Sequence, residues 1–211
     1  MDRHASTIQT WDQLAAAYQE KFMDLDLYND TYDRFCDLIP TLNASILEIA
    51  CGPGNITRYL LSKRPDFRLE ATDLAPRMLQ LAKENNPTAT FRLLDARDLH
   101  TLTQTYDGIM CGFCLPYLSR KDCAKLIKDA SPLLTTDGTL YLSTIEGDYQ
   151  NSGYETSSDG QHRMYVYYHS AQDLQSSLEE NGFAVVELVR KSYTSAAGAS
   201  STHLVFIAKK K

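Results

Sequence analysis

The apolar positions change period along the chain, and each change marks an element. Through residues 10–23, TWDQLAAAYQEKFM, Trp11, Leu14, Ala15, Tyr18 and Phe22 recur at helical spacing. Tyr32, Phe35, Cys36 and Ile39 repeat that pattern over 29–39, where Asn29 or Asp30 is the expected N-cap and Pro40 the stop. A short apolar run at 45–50 reads as a buried strand. A helical run at 55–63, closed by Pro65, follows it, and then a second strand from Phe67 to Thr72 that ends at Asp73. Pro76 suits the first turn of a helix reaching to about Asn85. Strands are predicted at 90–94 and 106–111, a helix at 120–134, and a turn at Asp137-Gly138 leading into a fifth strand at 139–144. Strand and helix in repeated alternation imply parallel pairing through right-handed crossovers, hence an α/β, doubly wound sheet.

The rhythm changes after residue 145. Residues 146–161, EGDYQNSGYETSSDGQ, are polar and form the longest loop candidate, and long loops in compact domains are often functional. Residues 163–168 read as a strand or lid segment, and 170–181 as a helix between Ser170 as N-cap and Gly182 as stop. Two further strands are expected at 183–190 and 202–208, joined by a flexible connector at 194–201. With no helix between them they pair antiparallel or lie apart.

Composition narrows the classes. A chain of 211 residues with 43% apolar content can bury one large core, and its net charge of −6 disfavours a nucleic-acid partner. The dense basic run, Lys209 to Lys211, reads as a solvated tail. Met1 to Thr10 carry no signal-peptide core and no apolar run approaches membrane-spanning length, so a cytoplasmic protein without a membrane partner is expected. Five scattered cysteines do not make a disulfide framework, and Cys111-Gly-Phe-Cys114 alone lacks the other ligands of a zinc site, so no metal is expected.

The sharpest local signal is ILEIACGPGNITRYLL at 46–61: an apolar strand runs through Cys51-Gly52-Pro53-Gly54 directly into a helix. Glycines there permit a tight turn and close approach of a ligand to backbone N–H groups at the helix start. Asp73, 19 residues after Gly54, stands at the end of the second strand, where an acid can accept hydrogen bonds from ribose hydroxyls. Asp95 stands at the end of the third strand, where a carboxylate can meet an adenine amino group. All three features fall at carboxyl ends of strands, where open α/β sheets bind ligands.

These segments resemble the class I S-adenosylmethionine-dependent methyltransferase family over residues 45 to 208 or so. Glu48-Ile-Ala-Cys-Gly-Pro-Gly54 is similar to its first motif, Ala71 to Leu79 to its second, Leu94-Asp95-Ala96 to its third and Tyr106 to Leu118 to its fourth. Leu133 to Tyr141 resembles the approach to its fifth strand. The resemblance implies a mostly parallel seven-stranded Rossmann-like sheet with an antiparallel C-terminal strand, helices on both faces and an N-terminal helical cap. It divides the chain into a cap at 1–43 and a methyltransferase domain at 44–211, with 146–168 as lid or insertion. It also implies S-adenosylmethionine as cofactor. Ala50, Cys51, Gly52 and Gly54 would face its methionine part, with Glu48 anchoring the loop or reaching the amino group through water. Asp73 would hold the ribose, Leu74 and Met78 flank the adenine, and Asp95 and Ala96 meet the adenine edge. Cys111, Gly112 and Phe113 would line the sulfonium side, and Tyr18 of the cap would reach the carboxylate.

A sulfonium is already activated, so the chain must chiefly hold a nucleophile in line and exclude water. No catalytic base is compulsory, and His169 and Tyr117 are the candidates should one be used. The region after the fourth strand lacks an Asn-Pro-Pro-Tyr-like motif, and the many late tyrosines suit a small organic acceptor bound by a monomer or homodimer. The other readings are a non-catalytic S-adenosylmethionine-binding protein, a protein methyltransferase and a nicotinamide-dependent oxidoreductase. The last wants a glycine or alanine where Thr57 stands.

Overall fold

A computed structural model describes residues 3–156, 160, 162–195 and 198–211. Its core sheet is built from β1 (Ser45–Ile49), β2 (Arg68–Asp73), β3 (Thr90–Leu93), β4 (Tyr106–Cys111), β5 (Leu134–Ile145), β8 (Phe183–Thr194) and β9 (Ser200–Lys210). They lie in the order β3-β2-β1-β4-β5-β9-β8. The first five pair in parallel, while β9 runs antiparallel between β5 and β8. The remaining strands, β6 (Gly153–Thr156) and β7 (Arg163–Val166), form a separate antiparallel hairpin.

Helices cover both faces because every central strand is apolar on both sides, as parallel strands require. On one face α6 (Arg120–Leu133) and α7 (Ala171–Glu180) set Leu126, Ile127, Leu174 and Leu178 against Leu140, Leu142 and Phe206. On the other, α3 (Asn29–Asp37), α4 (Asn55–Lys63) and α5 (Pro76–Asn85) set Phe35, Leu60 and Leu79 against Ile46, Tyr141 and Ile207. Helix starts follow local chemistry. Ser119 accepts from the Asp122 N–H at α6, and Ser170 from the Asp173 N–H at α7.

Several expectations are corrected. The N-terminal helical stretch begins at Arg3, not residue 10, and breaks at Leu14 into α1 (Arg3–Gln13) and α2 (Ala15–Phe22). Its first turns are polar in sequence, and docking onto the rest of the fold supplies what periodicity does not. The N-cap of α3 is Tyr28, without a side-chain cap, in place of Asn29 or Asp30. Asp30 sits in the first turn, where its charge complements the helix dipole. Asp137-Gly138 is a kink inside β5, not a turn before it. The polar run at 146–161 contains β6, while residues 157–159 and 161 lie outside the described residues. Lys209 and Lys210 are strand residues, not a tail. Lys209 Nζ donates to the Leu38 and Asp137 carbonyls and Lys210 Nζ to Leu134, tying β9 to the rim of the sheet.

The chain runs outward from β1 to β3 and then returns to place β4 on the other side of β1. That reversal opens a crevice above the carboxyl ends of β1 and β4.

Candidate functional site

The β1–α4 loop is folded by three residues in the left-handed region: Ala50 and Gly52 at φ 55° and Gly54 at 83°. A Cβ on Gly54 would fall 2.3 Å from Asn86 Nδ2 and 3.3 Å from Ala82, so backbone and helix α5 approach as only glycine allows. Asp73, at the end of β2, clasps this loop. Its Oδ2 accepts the Gly52 N–H at 2.9 Å and its Oδ1 the Ala75 N–H at 2.8 Å. Burial pushes its carboxyl up, against the downward pull of those N–H groups.

Glu48 lies beneath the loop, 1% exposed. Its Oε2 accepts the Thr57 hydroxyl at 2.6 Å, while Oε1 meets no hydrogen-bond donor among the described residues. Burial lifts its carboxyl to about 8, so it is largely protonated at neutral pH. Asp95 caps the turn after β3. It accepts the Arg97 N–H at 2.9 Å, takes Arg97 Nη2 at 2.6 Å and stands 3.5 Å from His4 Nε2. Burial opposes its ionisation, yet His4 and Arg97 hold it well below the usual carboxylate range.

These loops surround one cavity. Its floor is Ala50, Gly52, Asp73 and Leu74, and Met78, Asp95 and Ala96 form one side. Gly112, Phe113, Cys114 and Tyr117 form the other side, and Tyr18 with His4, Ile8 and Trp11 of α1 closes the top. Trp11 is the keystone of that roof, its ring centroid 5.4 Å from Tyr18 and 5.3 Å from Tyr117. Helix α1 is latched from both sides. Thr10 Oγ1 donates to the Arg163 carbonyl at 3.0 Å, Thr7 Oγ1 accepts the Tyr165 N–H at 3.1 Å, and Asp12 Oδ1 accepts the Arg77 N–H at 2.7 Å. With the roof seated, about 80 Å³ remains within. That is space for a few waters at about 10–15 Å³ each.

The structure brings Tyr18, Ala50, Gly52, Asp73, Leu74, Met78, Asp95, Ala96, Gly112, Phe113 and Tyr117 into this wall. Glu48, Cys51, Gly54 and Cys111 are buried beside it without lining it. His169 is outside the wall. It is buried, with Nε2 3.0 Å from the Leu115 carbonyl and 3.6 Å from Cys123 Sγ, where it braces the turn before α6. Among the described residues no group of His, Cys, Asp and Glu is arranged to hold a metal ion, and no helix is long and apolar enough to cross a membrane.

Sequence reasoning passed over one pair near the site. Tyr28 Oη lies 2.6 Å from His203 Nδ1, and His203 Nε2 lies 3.0 Å from Ser201 Oγ. Phe113 of the cavity wall touches both, at centroid distances of 5.0 and 4.9 Å. The available signal was a histidine opening the apolar run 204–208.

A family model described as a methyltransferase domain matches residues 46–138. A malonyl-[acyl-carrier protein] O-methyltransferase of Acetivibrio thermocellus is 31% identical over 52% of this chain and 38% of its own length. A tRNA N(3)-methylcytidine methyltransferase of Schizosaccharomyces pombe is 22% identical over 88% of this chain and 83% of its own length. Against several of its curated relatives the chain spans about half of their length, from 38% to 57%. The fold is that of a solved S-adenosylmethionine-dependent methyltransferase from Clostridium acetobutylicum. The two superpose with a TM-score of 0.71 at 17% identity, over 95% of this chain and 98% of that one.

Proposed function

We propose that this chain, which belongs to the class I S-adenosylmethionine-dependent methyltransferase family, binds S-adenosylmethionine in the cavity beneath α1 and methylates an oxygen or nitrogen of a small organic molecule. The observation that carries the reading is the convergence of Gly52, Asp73 and Asp95, from three successive strand ends, on one cavity.

The residues fit such a cofactor. Glu48 Oε1, buried beneath the loop and without a donor, suits a water that links to the cofactor's amino group. Gly52 leaves open the place where a Cβ would stand 3.6 Å from Tyr18, so backbone and ligand can approach. Leu74 and Met78 offer apolar surface to a flat base, and the Asp73 carboxylate keeps lone pairs for ribose hydroxyls. The cofactor supplies a methyl group activated by its sulfonium. The protein's part is to orient and to exclude water, and the packed rings of Trp11, Tyr18 and Tyr117 line the cavity for that purpose. The β6–β7 hairpin, bonded to α1 through Thr7 and Thr10, acts with it as a lid. The acidic balance of the chain, −6 overall, favours a small acceptor over a nucleic acid.

Isothermal titration with S-adenosylhomocysteine tests the reading, alongside the Asp73→Ala variant and an NADH control. Micromolar binding, weakened tenfold or more by the substitution and absent for NADH, is expected. Lack of binding to the folded wild type, or binding of NADH alone, overturns it.

A further inference from the structure

The roof of the cavity contains a buried donor that the protein leaves unsatisfied. Trp11, the single tryptophan of the chain, lines the cavity from α1, packed between Tyr18 and Tyr117. Its Nε1 is shut off from solvent and meets no hydrogen-bond acceptor among the described residues. Beneath it the ring packs on Ala75 and Met78, whose side chains are apolar. An indole N–H donates and never accepts, so a single acceptor atom would satisfy it. Buried without one, it costs free energy that a phenyl ring in the same place would not.

The other polar groups of the wall are sorted by role. Asp73 in the floor and Asp95 at the side present carboxylate oxygens. The groups packed around Trp11 are the phenols of Tyr18 and Tyr117, which burial pushes up, so both keep their protons at neutral pH. A ligand lying between these surfaces meets acceptors on one and donors on the other. The roof also comes down to the glycine loop, since a Cβ on Gly52 would stand 3.6 Å from the Tyr18 ring.

We infer that Trp11 is a cofactor-binding residue whose Nε1–H donates to an oxygen of S-adenosylmethionine, in its carboxylate or its ribose. The inference rests on the methyltransferase reading and adds to it a residue and a direction of hydrogen bonding. Thr7, Thr10 and Asp12 hold α1 to the fold without any ligand. Trp11 supplies a bond that forms only with the cofactor in place, so affinity and the seating of α1 rise together. Because an indole has no proton to give up or take at neutral pH, the role is binding and not proton transfer.

The test is the proton–nitrogen-15 correlation spectrum of the full chain, in which one tryptophan gives one indole cross-peak. In the free protein that peak should lie upfield, as for an indole without an acceptor. Saturating S-adenosylhomocysteine should move both its proton and its nitrogen downfield. 5′-Methylthioadenosine, which keeps the ribose and lacks the amino-acid part, separates the two oxygens. A downfield move with both ligands assigns the ribose, and a move with S-adenosylhomocysteine alone assigns the carboxylate. Trp11→Phe, which keeps a ring in the roof, should weaken S-adenosylhomocysteine about fivefold or more by isothermal titration. Should that variant not fold, the wild-type cross-peak still decides. A cross-peak that stays in place or moves upfield while titration shows S-adenosylhomocysteine bound, or an affinity of folded Trp11→Phe within about twofold of wild type, overturns the role of Trp11 alone. The indole then packs against the tyrosine rings with or without ligand. Failure of the folded wild type to bind S-adenosylhomocysteine overturns the methyltransferase reading and this inference with it.

Discussion

At the scale of single residues, the site is defined by groups whose local cost has no return within the free protein. Glu48 is the clearest. Its carboxyl is raised by burial to about 8 from an ordinary 4.5, so the folded chain holds a proton there that the unfolded chain has released. The sign follows from linkage. The contribution to stability is fully present below about pH 4.5 and is lost as pH rises through about 8. Urea unfolding at pH 5, 7 and 9 should therefore show a falling midpoint in the wild type and a flatter profile in Glu48→Gln. Equal slopes in the two proteins would remove Glu48 as the cause. The two loop glycines separate in the same way. Gly54→Ala forces a Cβ against Asn86 Nδ2 at φ 83° and should cost about 1–3 kcal/mol of stability by chemical denaturation. A Cβ at Gly52 meets only Tyr18 at an ordinary 3.6 Å, on the cavity side. Gly52→Ala carries left-handed strain of about 1–2 kcal/mol at φ 55° and, unlike Gly54→Ala, should also weaken S-adenosylhomocysteine binding; affinity unchanged in the folded variant would contradict the placement of Gly52 in the wall.

At the scale of elements, legibility followed from how local each element's determinants are. Helix α5 was readable because Pro76 opens it and its apolar positions repeat, and α7 because Ser170 and Gly182 bracket it. The β1–α4 loop, Asp73 and Asp95 were readable because one short segment carries each. Helix α1 was not. RHASTIQT shows no apolar stripe, and its buried positions, Thr7 and Thr10, earn their place through bonds to β7 more than 150 residues away. The Tyr28–His203 pair was hidden for the same reason, since only the antiparallel return of β9 brings it together. An element held over a cavity by a few polar bonds and one small apolar cluster, Ile8 and Trp11 against Ala75 and Met78, and not by the main core, belongs to the low-stability part of a fold. Hydrogen exchange should accordingly find α1 amides opening faster than those of α4, and slowing when S-adenosylhomocysteine binds. Trp11→Ala should remove much of the slowing, because Trp11 joins the roof to Tyr18 and Tyr117. An α1 as protected as α4 without ligand would show that the roof is a fixed wall.

At the scale of the whole molecule, the cavity is a consequence of topology. Reversal of strand order at β1 and β4 leaves their carboxyl ends uncovered, and the candidate cofactor residues lie at the carboxyl ends of the first four strands, on the loops and helix starts that follow them, or on the cap above. Below that edge, two apolar layers share the same strands. Leu47 and Ile49 face one layer while Ile46 faces the other, so neither layer can open without exposing the sheet to water. Unfolding should then be a single transition, with secondary-structure and aromatic signals coinciding. Because the site is assembled only when this sheet is intact, ligand binding adds to global stability and not to one half of it. At a concentration about 100 times Kd, binding contributes about 2.7 kcal/mol. At roughly 2–4 °C per kcal/mol for a domain of about this size, S-adenosylhomocysteine should raise Tm by about 5–10 °C. Asp73→Ala should lose that shift. Two separate transitions, or a ligand shift confined to one signal, would mean that the cap or the β8–β9 hairpin unfolds apart from the sheet that builds the site.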